Sequence, residues 1–127
     1  MKSRAIATIL SFIILCISNS VFAADISGSW TAEFDSQVGM QKYTYVFTVA
    51  GASITGEASV NIAGTDMKSK IAEGTVDGDN VTFVENLNYS GQDLRITYTG
   101  TVAGDEMNLK RDVGGMGGET ITAKRAK

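Results

Sequence analysis

One seven-residue pattern, met three times, constrains this chain more than any other feature. Thr48-Val49-Ala50-Gly51-Ala52-Ser53-Ile54 returns as Thr75-Val76-Asp77-Gly78-Asp79-Asn80-Val81 and again as Thr101-Val102-Ala103-Gly104-Asp105-Glu106-Met107. In each copy a Thr-Val pair suited to a strand runs into a glycine, and an apolar residue follows three places later. A tight hairpin turn demands positive φ, which glycine adopts without steric cost. Three such turns at nearly equal spacing predict a meander of antiparallel strands.

The residues between the turns bear this out as a pattern. Period-two alternation pervades the chain from Ile26 onward, and no helical period is sustained. A first strand over Ile26 to Asp35 puts Ile26, Gly28, Trp30, Ala32 and Phe34 on one face; a second, Gln41 to Val49, does so with Tyr43, Tyr45, Phe47 and Val49. The third carries Ile54, Gly56, Ala58, Val60 and Ile62. The fourth, Met67 to Val76, keeps no single parity, and a bulge near Ala72-Glu73 would reconcile its halves. The fifth presents Val81, Phe83, Glu85, Leu87 and Tyr89, and the sixth Leu94, Ile96, Tyr98 and Val102. The seventh presents Met107, Leu109 and Arg111, and the eighth Ile121, Ala123 and Arg125. Eight strands joined by short loops, each with one apolar face, close most naturally into an all-β, antiparallel, up-and-down barrel; a sandwich is the alternative. The three repeats then lie together at one tight end. More irregular loops, Ser36 to Met40, Ala63 to Asp66, Ser90 to Gln92 and the run Gly114-Gly115-Met116-Gly117-Gly118, mark the other end as the mouth.

The barrel follows a targeting segment. Lys2 and Arg4 precede an apolar run from Ala5 to Ile17, and Ser18 to Ala23 form a polar, small-residue stretch ending Val21-Phe22-Ala23. This is the layout of a secretory signal peptide over residues 1–23, cleaved after Ala23. The run is short for a membrane anchor, and Ile13-Ile14-Leu15 lack the small residue a lipoprotein site needs before Cys16. The expected product is one exported domain, residues 24–127, periplasmic or extracellular, with no stable membrane anchor. Loss of Lys2 and Arg4 takes the net charge from −3 to −5, and the chain has no long basic stripe, so nucleic acid is an unsuitable partner. The chain has no histidine, and its one cysteine lies in the leader. That removes Ser-His-Asp and Cys-His nucleophiles and ordinary zinc or copper sites. Asp77-Gly78-Asp79 is the nearest approach to a calcium loop and is accounted for as a turn. No metal or cofactor is expected.

Gly28-Ser29-Trp30 on the first strand, with Arg125 on the last, resembles the signature of the calycin barrels, the lipocalins, fatty-acid-binding proteins and avidins. The resemblance implies that Trp30 plugs the closed end with Arg125 packed across it, a structural trio with Gly28. A second resemblance runs along Trp30-Thr31-Ala32-Glu33-Phe34-Asp35, Gln41 to Phe47, Glu73-Gly74-Thr75-Val76, Val81 to Glu85, Tyr98-Thr99-Gly100 and Ala123-Lys124-Arg125. These stretches are similar to a small exported bacterial domain, found alone or appended to secreted glycoside hydrolases and esterases and sometimes given a xylanase-like name. It implies an accessory role near polysaccharide and brings no catalytic residues with it.

Two charged residues fall in the inward register, Glu85 and Arg111, both in the half of the barrel nearest the mouth. Buried charges demand partners. They either form an internal pair, directly or through a neighbour, or anchor a ligand carboxylate or sugar hydroxyl. Phe34, Tyr43, Tyr89, Leu94 and Met116 are expected around the same mouth, as core or as a surface for a sugar or an apolar ligand. A hydrolytic reading needs two carboxylates roughly 5–10 Å apart. Glu85 with Asp112 is the pair to consider, with Asp35 and Asp93 on the rim. Binding of a small molecule or oligosaccharide is favoured over catalysis, and a purely structural or partner-docking barrel is the third reading.

Overall fold

The computed structural model describes residues 24–126. The leader assigned to residues 1–23 lies outside the described residues. Eight strands follow in order: β1 (Gly28–Ser36), β2 (Gly39–Ala50), β3 (Ser53–Ile62), β4 (Thr65–Asp77), β5 (Asn80–Tyr89), β6 (Gln92–Ala103), β7 (Glu106–Val113) and β8 (Thr120–Arg125). Each pairs antiparallel with its sequence neighbours, and β8 returns to β1 to close the barrel. Most of the inward residues are those the alternation singles out, and the apolar ones form one continuous core from Ile26 to Ala123. Ile26 lies ahead of β1 rather than on it, yet is fully buried.

Both kinds of hairpin follow from backbone chirality. Gly51, Gly78 and Gly104 sit at φ 63°, 60° and 63°, each followed by a residue of ordinary φ. That is the pattern of a II′ turn, with glycine at its first central position. At the mouth, Ala63-Gly64 has φ 49° and 94°, and Ser90-Gly91 has 54° and 82°. Two left-handed residues in succession are the I′ pattern, whose twist matches the flanking strands. The loops expected to be irregular there are, in these two cases, as tight as the three repeats. Only the β7–β8 connection, residues 114–119, is long.

The expected bulge is present. Glu73 adopts φ 51°, and the β4–β5 register shifts between Ala72 and Thr75. The bulge re-aims Glu73 along the outer surface, where it takes both Nη atoms of Arg95 on β6, at 2.7 and 2.9 Å. The pair spans β5 between them. Val84, on the outward parity of β5, is only 5% exposed.

The two ends of the barrel are built differently. At the hairpin end, residues 24–27 fold across the bottom: the Ala24 N–H donates to the Gly78 carbonyl at 2.9 Å, and the Trp30 indole N–H donates to the Ile26 carbonyl at 2.9 Å. Arg125 lies 4.5 Å over the Trp30 ring and donates to the carbonyls of Ser27 and Asp25 and to the Asp105 carboxylate. Gly28 is exposed, with φ 110°. Its contribution is backbone conformation, and of the two residues expected inward ahead of Trp30 only Ile26 is buried. Towards the mouth, by contrast, two seams lose their ladders. β4 and β5 pair from Asp77 opposite Asn80 only as far as Lys70 opposite Asn86, so Thr65 to Ser69 have no β5 partner. β1 and β8 pair only at Trp30–Arg125 and Thr31–Lys124. The mouth half is therefore two four-stranded sheets facing each other, β1–β4 and β5–β8.

Gly100 tests the tightness of the closed half. A Cβ there would stand 1.9 Å from the Asn108 carbonyl oxygen on β7, so the paired backbones would have to separate. Gly100→Ala is expected to destabilise the fold by about 1–3 kcal/mol, the usual effect of overpacking. Chemical denaturation measures it, and a loss under about 0.5 kcal/mol, the scale of a surface substitution, would show that the strands yield freely there.

Candidate functional site

β2 sends a column of rings into the barrel. Tyr43 stacks on Tyr45 and Tyr45 on Phe47, with centroids 4.9 and 5.8 Å apart, and Phe34 of β1 caps the column 5.9 Å from Tyr43. From the opposite sheet, Phe83 and Tyr98 stack at 4.5 Å and meet the first column edge-on, Tyr98 against Tyr45 at 83°. Edge-to-face contact suits the ring quadrupoles. It also brings three phenol hydroxyls together midway up the barrel.

Those hydroxyls gather about Glu85, which is fully buried opposite Ile71, one pair short of the mouth-ward end of the β4–β5 ladder. Its carboxylate accepts from Tyr43 at 2.9 Å, Ser69 at 2.7 Å and Tyr98 at 2.8 Å. Three hydroxyl donors on two oxygens are the partners an ionised carboxylate needs. Because the Tyr98 proton goes to Glu85, the 3.0 Å contact between Tyr45 and Tyr98 must run from the Tyr45 hydroxyl.

Arg111 of β7 completes the set from the other side, only 3% exposed. Its Nε donates to the Tyr98 hydroxyl at 2.9 Å and its Nη2 to the Tyr43 hydroxyl at 3.0 Å, with a longer 3.4 Å contact to Gln41. Its Nη1 donates to the Glu119 carboxylate at 2.9 Å. The guanidinium lies 5.1 Å over the Phe34 ring and 5.4 Å over that of Tyr43. Glu85 and Arg111 thus interact through Tyr43 and Tyr98, each hydroxyl accepting from the cation and donating to the anion. Among the described residues no buried side-chain nitrogen or oxygen is left without a partner.

Above Arg111 the separated sheets leave a cavity of about 240 Å³ at the mouth. Ile62, Leu87, Leu94, Ile96 and Val113 form its apolar walls, Gln41 and Arg111 its polar floor, and Glu119 its one acidic group. Met116 stands at the rim, 79% exposed. Gly118 holds the long loop against β7: a Cβ there would fall 1.9 Å from the Arg111 carbonyl oxygen. This close approach sets Glu119 beside Arg111, and their backbones are joined by the Arg111 N–H donating to the Glu119 carbonyl at 2.8 Å.

Of the residues singled out from sequence, Arg111, Tyr89, Leu94 and Met116 line the cavity. Glu85, Tyr43 and Phe34 do not. Tyr43 of β2 is buried in the ring column, and Phe34 of β1 stacks on it with the Arg111 guanidinium over its ring, so both pack under Arg111 and not against the cavity. Asp112, next to Arg111, takes the opposite face of β7 and accepts from the Gly117 N–H at 3.2 Å. Glu85 and Asp112 therefore face opposite sides of the barrel wall and do not form a hydrolytic pair. Gln41, Ser69, Tyr98 and Glu119 complete the site and were not singled out. Their signal was parity, since each shares the inward register of its own strand or its extension.

Burial raises the pKa of Tyr43, Tyr45 and Tyr98 above the ordinary phenol value, and the Glu85 charge raises it further. Burial works against the Arg111 charge, but the surrounding Tyr98, Tyr43 and Glu85 outweigh it and keep the guanidinium above its ordinary value. A tyrosine whose folded value is raised contributes stability that is present below the unfolded value near 10 and is lost as pH rises through the folded one. Titration followed at 295 nm should therefore show these three phenols silent while the protein stays folded, then ionising together as it unfolds in alkali. Their ionisation near pH 10 in a folded protein would contradict the network.

Glu85→Gln keeps the shape but sets an amide N–H₂ against hydroxyl donors and leaves Arg111 without its inner counter-charge. The expected loss is about 3–5 kcal/mol, the usual cost of breaking a buried charge set on one side. A loss below about 1 kcal/mol in a denaturation experiment would mean that the network adds little beyond ordinary hydrogen bonds.

No family model, no curated protein and no solved structure matches this chain, so the geometry alone bears on function.

Proposed function

We propose that this protein is an exported, calycin-like binding or accessory barrel that holds a small carbohydrate or amphipathic ligand in its mouth. The observation that carries this reading is the cavity between the two sheets, with apolar walls and a buried cation at its floor. Binding sites combine mostly apolar walls with a few placed polar groups in this way. Tyr89 and Met116 at the rim offer faces to a sugar or an apolar chain. Export is supported by the leader pattern of residues 1–23, and the calycin reading by Arg125 over Trp30 at the closed end. The hydrolase reading gains nothing from Glu85 and Asp112 on opposite faces of the wall.

The test is a thermal-shift screen of the purified protein against oligosaccharides and small apolar acids, with Val113→Trp beside the wild type. Val113 is a half-buried wall residue outside the charged network, so an indole there fills the cavity and leaves the core intact. A ligand at ~100 times its dissociation constant adds about 2.7 kcal/mol to stability, or roughly 10–20 °C for a domain of this size. The expected result is a shift in wild type that Val113→Trp abolishes. A shift that survives the substitution would place binding elsewhere, and no shift from any compound would remove the reading.

A further inference from the structure

Arg111 carries five N–H donors in a fixed fork. One from Nε goes to Tyr98, two from Nη2 go to Tyr43 and, at the longer 3.4 Å, to Gln41, and one from Nη1 goes to Glu119. Among the described residues the second Nη1 hydrogen has no protein acceptor. The two ends of the guanidinium are therefore unequal. Its inner side is locked into the tyrosines, while the edge carrying Nη1 and the loosely held side of Nη2 belongs to a residue that lines the cavity.

The one negative group on that edge comes from the protein itself. Glu119 is 26% exposed, and it follows the glycine-rich loop in which Gly114, Gly115 and Gly117 all adopt positive φ. Its backbone is pinned to Arg111 by the 2.8 Å bond between main chains. The side chain can therefore leave the guanidinium by changing rotamer, with the loop and the strand staying where they are. Among the described residues, Arg111 and Glu119 are the only charged ones that line the cavity.

Resting on the binding reading above, we infer that Glu119 occupies the place of a ligand carboxylate, and that the mouth takes a short monocarboxylic acid which displaces it from Arg111. The acid presents two oxygens to the Nη1 and Nη2 edge, the bidentate geometry that suits a guanidinium, and replaces Glu119 charge for charge. Its body lies against Ile62, Leu87, Leu94, Ile96 and Val113. A space of about 240 Å³ holds the volume of about eight waters at ~30 Å³ each, which suits a short chain or a single ring. Glu119 is then an internal competitor: it keeps the buried cation neutralised when the cavity is vacant and sets a threshold concentration for the acid.

Calorimetric titration of hexanoate and of hexanol into wild type, Glu119→Ala and Glu119→Gln tests this. Removing a tethered competitor should tighten hexanoate binding about tenfold or more, since tethering gives it a high effective concentration. Glu119→Gln should fall between wild type and Glu119→Ala, and hexanol should bind all three proteins alike and more weakly. A merely structural role for Glu119 would change stability and leave the preference for hexanoate over hexanol untouched. If hexanoate binds Glu119→Ala no better than wild type, or no better than hexanol, the inference falls, while any oligosaccharide shift abolished by Val113→Trp keeps the binding reading standing. If nothing binds any of the three proteins and the wider screen is also blank, both fall together.

Discussion

A carboxylate and a guanidinium that never touch hold this barrel together where its backbone ceases to. The β4–β5 ladder ends at Lys70 opposite Asn86, and the next tie between the sheets is a side-chain one, Ser69 to Glu85. Tyr43 to Glu85, Tyr45 to Tyr98 and Arg111 to Tyr43 also run from one sheet to the other. Each bond is made in a site shielded from water, where electrostatic interactions strengthen and unsatisfied groups are most costly. With every buried side-chain nitrogen and oxygen among the described residues partnered, the network specifies one separation and one register for the two sheets. An apolar layer of the same volume would bind them as well but would tolerate sliding.

The same arrangement makes the mouth a place where chemistry can be presented. Arg111 lines the cavity together with the core residues Ile62, Leu87 and Ile96, so a charged group meets the space that the apolar walls enclose. At the opposite end Arg125 shows the contrasting use of a guanidinium: it lies over Trp30 and gathers the carbonyls of Ser27 and Asp25 with the Asp105 carboxylate, with the chain leading into β1 folded beneath it. One cation seals the barrel and the other faces its opening.

Much of this was legible in one dimension. The repeated Thr-Val-x-Gly pattern and strict alternation point to eight strands, hairpins at one end and a bulge at Ala72-Glu73, and the same alternation places Glu85 and Arg111 inside. Depth was harder to read. Parity states which face a residue takes but not how far from the rim it lies, so Tyr43 and Phe34 were grouped with Tyr89, Leu94 and Met116. Two-residue turns at Ala63-Gly64 and Ser90-Gly91 were underestimated for a related reason: alanine and serine are seldom left-handed, and strand twist forces them there.

The sequence by itself determined the fold class, because side-chain alternation and turn chirality are local properties that every short segment carries. It also determined that two opposite charges share the interior. Which hydroxyls mediate between those charges, and that Glu119 rather than Asp112 meets Arg111, only the tertiary structure decided. Those contacts join residues as far apart as Gln41 and Arg111. Their geometry depends on where two ladders stop and how closely the Gly118 backbone approaches β7, and no local segment encodes either distance.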